Sequence, residues 1–320
     1  MTRCTVIRNP ASRGRLRDDD FDRAMVVARA AGWELDVRAT EHAAHATALA
    51  REAAEHGADV VLVHGGDGTV NEALNGIAGT TTALAVLPGG TANVWAREIG
   101  LPRKPVEAMR AVVGGEVRAV DLGRANGRYF LLMCGAGLDG VVVPAVGGPL
   151  KRWLGAAAYV VRGAPVVLRL RGWPAVARID GDDAGAGLYW LLASNTRLYG
   201  GLVRIAKGAV VDDGQLDVAL LRRGGLWRLA TAFARLLRGR LAASPDVTVA
   251  RARRIEIEAP GIPYQVDGEG AGETPLRIDV APRALLAVVP RGTRSRLFAT
   301  PPLGPVAASQ RGSEGRVEPP

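Results

Sequence analysis

The stretch that most constrains the fold runs from residue 60 to residue 77, where an apolar run is followed by glycines and then by a helical pattern. Residues 60–63 are continuously apolar and mostly β-branched, which is typical of a central strand in a parallel sheet. Glycines permit backbone angles closed to other residues and leave room for a ligand against the main chain; here they are Gly65, Gly66 and Gly68. Apolar side chains then recur at helical spacing, so we predict a strand, a glycine turn and a helix started by Thr69.

The glycine turn at residues 65–69 suits a phosphate group, because unpaired N–H groups and the positive end of a helix point at one spot. Asp67 places a carboxylate beside that spot, and a carboxylate next to phosphates is repelled unless a cation lies between them. We therefore interpret Asp67 as a ligand or orienter of Mg²⁺. The turn is neither a Walker A loop nor a dinucleotide fingerprint, since no Gly-Lys-Ser/Thr follows and Asn71 stands where a third glycine belongs. The alternative is a tight strand-to-helix turn with a solvated aspartate.

The first part of the chain alternates strands and helices, which predicts a parallel sheet with helices on both faces. Ligands of such sheets bind beyond the carboxyl ends of the strands. Three loops meet that condition, after Ile7, after His64 and after Leu87. In the third loop, Thr91 or Asn93 is a helix cap, or else Thr91 contacts a phosphate or ribose.

From about residue 118 the pattern changes to closely spaced strands, one of them at 166–170, with helices only at about 150–162 and 226–241. We expect a second domain of mostly antiparallel strands, a β-sandwich. The predicted domains are an α/β, Rossmann-like nucleotide-binding domain at 1–117, the sandwich at 118–290 and a C-terminal segment at 291–320. From about residue 300, Pro, Gly, Ser and charge predict a largely disordered tail.

Composition limits the partners. The 320 residues carry 41 Lys+Arg against 32 Asp+Glu, a formal net charge of +9. Such a surface suits an anionic membrane, a nucleotide or nucleic acid, but aromatic residues are only 5%, which argues against a binder of single-stranded nucleic acid. No signal region and no apolar run of spanning length is present. Cys4 and Cys134 fall on predicted buried strands and indicate a reducing compartment.

The string Gly-Gly-Asp-Gly-Thr at 65–69 resembles the signature of the diacylglycerol kinase catalytic domain family, which includes bacterial lipid kinases and sphingosine kinases and is distantly similar to NAD kinases. Gly-Thr-Ala-Asn at 90–93, followed by Ala-Arg-Glu-Ile-Gly-Leu-Pro at 96–102, resembles its second signature block. The family often has an aspartate after that asparagine, whereas this chain has Val94. The resemblance covers about residues 3–290, implies ATP and Mg²⁺ as cofactors, and leaves the acceptor open.

Several site residues follow from the resemblance alone. It implies a nucleotide-contacting role for Thr40, a weaker one for Asn9, and a place for Asp121 in the nucleotide and magnesium network. Without it, Thr40 is an ordinary cap and Asp121 a solvated strand-end aspartate.

The block at residues 210–217 holds three aspartates around Gly214, and Asp-Gly is a strong hairpin signal. The bacterial lipid kinases have a similar block that binds a structural magnesium. Carried over, its ligands are the Asp213 carboxylate and the main-chain carbonyls of Val210 and Gln215, oxygens that suit Mg²⁺ or Ca²⁺. A plain turn without an ion is the alternative.

Asp267-Gly268-Glu269 is the sharpest chemical signal of the second half, although a turn aspartate alone is ordinary. The resemblance implies that this block faces the γ-phosphate across an interdomain cleft. A hydroxyl is a poor nucleophile until a base accepts its proton. Asp267 is our first candidate for that base. Glu269 is the second, or it orients Asp267.

The predicted helix at 226–241 has an apolar stripe and a face carrying Arg228, Arg235, Arg238 and Arg240. It either packs on the sandwich with a solvated basic face, which is the favoured interpretation, or lies on anionic lipid.

Together these features predict an ATP-dependent lipid kinase that phosphorylates a hydroxyl of diacylglycerol or a related lipid, with Mg²⁺. The expected location is cytoplasmic and peripheral to the inner face of the membrane, with no nucleic-acid partner and a homodimer left open. The alternatives are a kinase of a sphingoid or soluble acceptor, of NAD-kinase type, and a non-catalytic nucleotide-binding regulator, which Val94 motivates.

Overall fold

The computed structural model describes residues 1–12, 18–145, 165, 169–199, 203–206, 208–237, 246–293 and 296–306. The chain divides into two compact units. The first contains residues 1–120 together with 283–320, and the second contains residues 121–282. No helix in the described part of the chain has the length and apolar character needed to span a membrane.

The first unit is a parallel sheet with helices. In chain order its elements are β1 (Thr2–Arg8), α1 (Asp18–Ala30), β2 (Trp33–Ala39), α2 (His45–Glu55), β3 (Val60–Gly65), α3 (Asp67–Ile77), β4 (Ala83–Pro88), α4 (Val94–Glu98) and α5 (Pro105–Val113), with β5 (Glu116–Ala125) leading out of it. β1 lies between β2 and β3, and β4 pairs with β3, all in parallel. β3 is buried along its whole length, as expected for a central strand covered on both faces.

Close packing of α2 against α3 depends on a glycine. A Cβ added at Gly76 would lie 2.4 Å from the carbonyl oxygen of Thr47 and 2.9 Å from the Cβ of Ala50. The two helices therefore approach to a distance that only glycine permits at this position. Their contact holds the helix that follows the glycine turn firmly on the sheet.

The second unit is a two-sheet sandwich. In chain order its elements are β6 (Arg128–Phe130), β7 (Met133–Gly137), α6 (Leu138–Ala145), β8 (Trp173–Ile179), β9 (Asp182–Leu188), β10 (Trp190–Ser194), β11 (Leu198–Tyr199), β12 (Val203–Arg204), β13 (Leu216–Leu221), α7 (Leu226–Leu237), β14 (Val247–Ala252), β15 (Arg254–Ile257), β16 (Pro263–Val266), β17 (Glu269–Glu273) and the first part of β18 (Leu276–Val289). One sheet has the order β14-β13-β10-β7-β16-β17. The other contains β18, β15, β8 and β9, with antiparallel pairing.

The core of the second unit lies between these sheets. Ile255 and Ile278 point into it from one sheet, and Leu191, Val218 and Val266 from the other, all at most 1% exposed. Side chains that alternate between a buried and an outer face produce this arrangement. The expected mostly antiparallel sandwich is therefore confirmed.

The chain returns to the first unit from Arg283, within β18, whose end pairs with β4 in parallel at Leu286 and Ala83. The sequence analysis placed the sandwich at 118–290 and therefore assigned the whole of this strand to it. Within the segment predicted as a tail, β19 (Gly304–Pro305) pairs with β5 and Val306 is 5% exposed, whereas residues 307–320 lie outside the described residues. Burial of apolar groups outweighs the turn-rich composition there.

Other predictions fall on or near residues that the structure does not describe. The expected helix at 150–162 lies outside the described residues, as does most of the expected strand at 166–170, of which residue 169 is helical. The strands β16 and β17 and the helix α6 were missed. β17 reads Glu-Gly-Ala-Gly-Glu and lacks the apolar alternation that identifies a strand.

Candidate active site

The carboxyl ends of β1, β3 and β4 and the loops after them form one edge of the first unit. The backbone N–H of Asn9 donates to the carbonyl of His64 at 2.9 Å, and that of Gly89 donates to the carbonyl of Gly65 at 3.0 Å. Thr40, after β2, is held in the same way through its N–H to the carbonyl of Arg8 at 2.8 Å. The three predicted loops thus meet at the edge where ligands of open parallel sheets bind.

Asn9 and Thr69 are brought into direct contact. The Asn9 side-chain amide donates to the Thr69 hydroxyl at 2.8 Å. The helix α3 begins at Asp67, with Gly66 as an extended N-cap and no side-chain cap. Thr69 therefore does not start the helix as predicted. Its hydroxyl fastens the first loop to the first turn of α3, and the main-chain N–H groups at the helix start are not capped by a side chain.

Asp67 and Asn93 organise the second signature block. The Asp67 carboxylate accepts the backbone N–H of Val94 at 2.6 Å, so it joins the glycine turn to the start of α4. Asn93 is the N-cap of α4 in a left-handed conformation, φ 45°, and its side chain closes on Gly90 in both directions, at 2.9 and 2.7 Å. Thr91, the other predicted cap, is exposed.

Two glycines let these loops approach. A Cβ at Gly90 would lie 2.6 Å from the Cα of Gly66, and a Cβ at Gly65 would lie 2.7 Å from the Cβ of Thr69. Such contacts do not occur between real side chains, so only glycine fits at either position. Close approach of a neighbouring backbone at Gly90 and of the Thr69 side chain at Gly65, rather than unusual angles, is what these two positions require.

His64 lies beneath the turn and is 5% exposed. Burial, assisted by the nearby charge of Arg8, lowers the pKa of His64 to about 4, so the ring is neutral near pH 7. Its ring packs against Phe21, with the ring centroids 5.1 Å apart. A Cβ at Gly89 would lie 2.8 Å from its Nε2 atom, which explains the glycine there. His64 adds no positive charge to the site.

Asp121 belongs to the second unit, where it holds the turn at residues 210–215. Its carboxylate accepts the N–H of Gly214 at 2.6 Å, and its own N–H donates to the carbonyl of Val211 at 2.6 Å. The residue is 1% exposed. Asp121 is thus an anchor of this turn rather than a solvated strand end.

Asp213, the expected ligand of a structural ion, is engaged by Arg251 through one carboxylate oxygen and by the N–H of Gln215, at 3.1 Å, through the other. In the described ranges, no group of three or more His, Cys, Asp or Glu side chains is arranged to hold a metal ion. The guanidinium takes the position on Asp213 that a cation would take, so this arrangement fits an ion poorly. The ion site formed with the carbonyls of Val210 and Gln215 remains a prediction.

Asp267 is 8% exposed and sits at the turn between β16 and β17 in a left-handed conformation, φ 47°. Its two carboxylate oxygens accept the backbone N–H groups of Leu131, Leu132 and Met133, at 3.0, 2.9 and 2.9 Å. A carboxylate that accepts several amide N–H groups is stabilised as the anion. These contacts make Asp267 a structural anchor, since both of its oxygens already accept backbone N–H groups.

Glu269 differs from Asp267 in burial and in partner. Its side chain is 46% exposed, and its carboxylate pairs with Arg128 at 2.8 Å. Of the two predicted carboxylates, Glu269 is therefore the one that a substrate can approach.

Asp139 was missed by the sequence analysis. It lies in the first turn of α6 after the glycine-rich end of β7, is 3% exposed, and accepts the Tyr199 hydroxyl at 2.6 Å. Burial raises the pKa of Asp139 to about 6, against the opposing effect of the Tyr199 hydrogen bond. The available signal was Gly-Ala-Gly-Leu-Asp at 135–139, a strand, glycines and an aspartate at a helix start, as at residues 63–67.

The α/β part of the chain and its antiparallel sandwich each match the model of a known domain family. The model of the diacylglycerol kinase catalytic domain matches residues 3–125. The model of the YegS C-terminal NAD kinase β-sandwich-like domain matches residues 133–289.

Individual relatives agree with the domain matches. The chain is 29% identical to a diacylglycerol kinase of Bacillus subtilis strain 168, over 93% of this chain and 99% of that protein. It is 35% identical to a diacylglycerol kinase of Mycobacterium tuberculosis strain H37Rv, over 76% and 81%. A crystal structure of a diacylglycerol kinase from Bacillus anthracis strain Sterne has the same fold, with a TM-score of 0.70 at 23% identity, over 91% and 98%. The chain belongs to the diacylglycerol kinase catalytic domain family, a family of lipid kinases.

The raised pKa of Asp139 predicts a pH-dependent contribution to stability. In the folded state this carboxyl keeps its proton above its ordinary pKa of 3.8, so the folded state binds more protons than the unfolded state between 3.8 and about 6. Stability from this group is present at low pH and is lost as the pH rises through about 6. Urea unfolding should show the wild type losing stability relative to Asp139→Asn across this window, since asparagine still accepts the Tyr199 hydroxyl.

Asp182→Asn, at an exposed aspartate of β9, is the matched control and should follow the wild type at every pH. A difference between the wild type and Asp139→Asn that stays constant from pH 3.8 to pH 7 would contradict the assignment.

Proposed function

We propose that this chain is an ATP-dependent lipid kinase that transfers the γ-phosphate, with Mg²⁺, to a hydroxyl of diacylglycerol or a related lipid. The observation that carries the proposal is the loop edge of the first unit, where the glycine turn is tied to Asn9 and to the Val94 helix start. Membership of a lipid kinase family supports the reaction class, and the names of the relatives support diacylglycerol as the acceptor.

The first unit supplies the nucleotide site. Main-chain N–H groups of Gly66, Gly68 and Thr69 at the start of α3 bind phosphate oxygens, aided by the positive end of the helix dipole. The shape of the facing loop depends on Gly65, Thr91 and Asn93. Asn9 contacts the nucleotide from the first loop, and Thr40 contacts it from the second. Because the loops are already tied together, little ordering is needed on binding, which favours affinity.

Asp67 orients the magnesium ion that accompanies the triphosphate. One carboxylate oxygen accepts the N–H of Val94, which holds the carboxylate at the start of α3, where it would bind or orient the cation. When bound, Mg²⁺ neutralises charge on the phosphates and stabilises the transferring group. Val94 stands where the family often has an aspartate, so we assign the cation to Asp67, whereas Asp121 anchors the turn at residues 210–215 of the second unit.

The second unit supplies the base. Glu269 accepts the proton of the lipid hydroxyl, because its carboxylate is open to solvent and is fixed by Arg128. Asp267 keeps the turn in place through three amide contacts. This reverses the order of preference that the sequence suggested, because buried amides compete for the Asp267 lone pairs.

Phosphoryl transfer forms one bond to phosphorus and breaks another. The acceptor oxygen forms a bond to the γ-phosphorus while the bond from that phosphorus to the β–γ bridging oxygen breaks. The hydroxyl proton moves to Glu269, and ADP leaves with the negative charge. Placement and charge neutralisation provide most of the rate enhancement. The acceptor resides in a bilayer, so the enzyme acts at the membrane surface, peripheral to the cytoplasmic face.

The charge of Asp67 should be essential for transfer. Asp67→Asn keeps an oxygen that can accept the Val94 N–H but loses the negative charge that orients the cation. We expect phosphoryl transfer to fall by about 10²-fold or more. The assay follows labelled γ-phosphate from ATP and Mg²⁺ into a panel containing diacylglycerol, monoacylglycerol, sphingoid bases and NAD.

Asp22→Asn, at an exposed position of α1, is the matched control and should leave transfer unchanged. Normal activity in Asp67→Asn would favour a regulator that uses the nucleotide without this chemistry. Transfer to none of the panel by the wild type would contradict the kinase proposal, and transfer to sphingoid bases or NAD alone would favour the alternative acceptors.

The two carboxylates at the β16–β17 turn can be separated by amide substitutions. Glu269→Gln removes the proposed base from an exposed site, so we expect transfer to fall by about 10²-fold or more with the fold intact. Asp267→Asn keeps one acceptor oxygen and tolerates the left-handed conformation, but its NH2 group replaces an oxygen that accepts a backbone N–H. It should therefore lower the thermal stability and, while folded, keep most of the activity. Initial rates and thermal unfolding of both variants give the comparison.

The opposite pattern, with Asp267→Asn folded but inactive and Glu269→Gln active, would assign the base to Asp267.

A further inference from the structure

The helix α7 already uses one of its faces. Leu229 and Ala232 pack on a cluster formed by Leu138, Tyr189, Leu221 and Val247. This agrees with the interpretation of the helix as packed on the sandwich. The inner face of α7 therefore packs on the second unit. Any further role of the helix must involve the residues on its outer side and at its start.

Trp227, in the first turn of α7, is 82% exposed. Among the described residues only Met1 is a more exposed large hydrophobic residue. A tryptophan combines a large apolar ring with one N–H donor, which suits a surface that is apolar on one side and wet on the other. Such residues are enriched at the boundary between bilayer and water.

Exposed arginines flank this tryptophan in the chain and also flank a residue that packs on the cluster beneath its helix. Arg223 and Arg228 are exposed and flank it in the chain. Leu170 packs on the same cluster as Leu229, and its chain neighbours Arg169 and Arg171 are both exposed. The Trp227 surface is defined here as Arg169, Arg171, Arg223, Trp227 and Arg228.

Among the described residues, one acidic side chain is paired with this surface. Asp246 pairs with Arg228 at 3.2 Å, and Arg228 also donates to the Gly224 carbonyl at 3.4 Å. Four arginines against one aspartate leave the Trp227 surface positive. Positive charge around an apolar side chain complements anionic headgroups that lie above an acyl interior.

We propose that the Trp227 surface docks this protein on an anionic lipid bilayer, with the Trp227 ring at the headgroup boundary and the arginines on lipid phosphates. The inference rests on the proposed lipid kinase function, because a kinase of a bilayer lipid must reach the membrane and no described helix spans one. A single-stranded nucleic acid would use the arginines, but its binding sites stack successive bases on several aromatic side chains, and the exposed side chains of this region include one.

The test measures binding of the full chain to sedimented vesicles, without ATP. Vesicles of phosphatidylcholine are compared with vesicles in which part of it is replaced by phosphatidylglycerol. We expect binding to the anionic vesicles only, weakening as salt is raised. Trp227→Ala should weaken binding about tenfold, and Arg223→Glu by about fivefold or more. Both positions are exposed, so both variants should fold, which thermal unfolding checks.

Matched controls change the same properties elsewhere. Val26→Ala removes apolar surface at a residue that is 62% exposed on α1, and Arg103→Glu reverses an exposed charge in the first unit. Both should bind like the wild type. In a second readout, brominated lipids should quench part of the tryptophan emission of the wild type, and that part should be absent in Trp227→Ala.

Wild-type binding by both Trp227→Ala and Arg223→Glu, or equal binding to neutral and anionic vesicles, would overturn the docking proposal. Activity on a dispersed short-chain diacylglycerol separates the two ideas. If that activity is present while Trp227→Ala still binds vesicles fully, the docking surface is wrong and the kinase stands. If vesicle binding depends on Trp227 but no lipid is phosphorylated, docking stands and the proposed function fails.

Discussion

The hydrogen bond from the Val94 N–H to the Asp67 carboxylate is the contact on which the loop edge of the first unit depends. It joins the starts of two helices, α3 and α4, that follow neighbouring strands of the sheet. With the Asn9 amide on Thr69, it fixes three loops by side-chain contacts, while the glycines at 65 and 90 allow the backbones to meet. A site made in this way presents main-chain N–H groups without capping side chains, which is the requirement for a phosphate.

In the second unit, carboxylates also accept backbone N–H groups, but there the hydrogen bonds hold turns in place. Asp267 and Asp121 are buried carboxylates whose oxygens accept backbone N–H groups, so their charge is used to hold turns. Glu269, two residues after Asp267, keeps an exposed carboxylate beside Arg128. Burial and donors, rather than residue type, therefore assign different roles to neighbouring acidic residues.

Local features of the sequence predicted much of this architecture. The β-branched run at 60–63, the glycines and the helical spacing after them are encoded within a few residues, so the strand, turn and helix were readable. The roles of Asp267 and Asp121 were not, because their partners lie far away in the chain. Leu131 precedes Asp267 by 136 residues, and Gly214 follows Asp121 by 93. The pairing of Arg251 with Asp213 and the return of the chain to the first unit at Arg283 are likewise long-range.

The central claim is that main-chain amides at the start of α3 bind a triphosphate. Hydrogen–deuterium exchange of the full chain, with and without ATP and Mg²⁺, tests it directly on peptides covering residues 65–70 and 88–94. We predict slower hydrogen–deuterium exchange in both segments when nucleotide is present. The exchange rate of β14 (Val247–Ala252) should stay unchanged. Nucleotide binding that leaves exchange at 65–70 unaltered, or that protects only other segments, would contradict it.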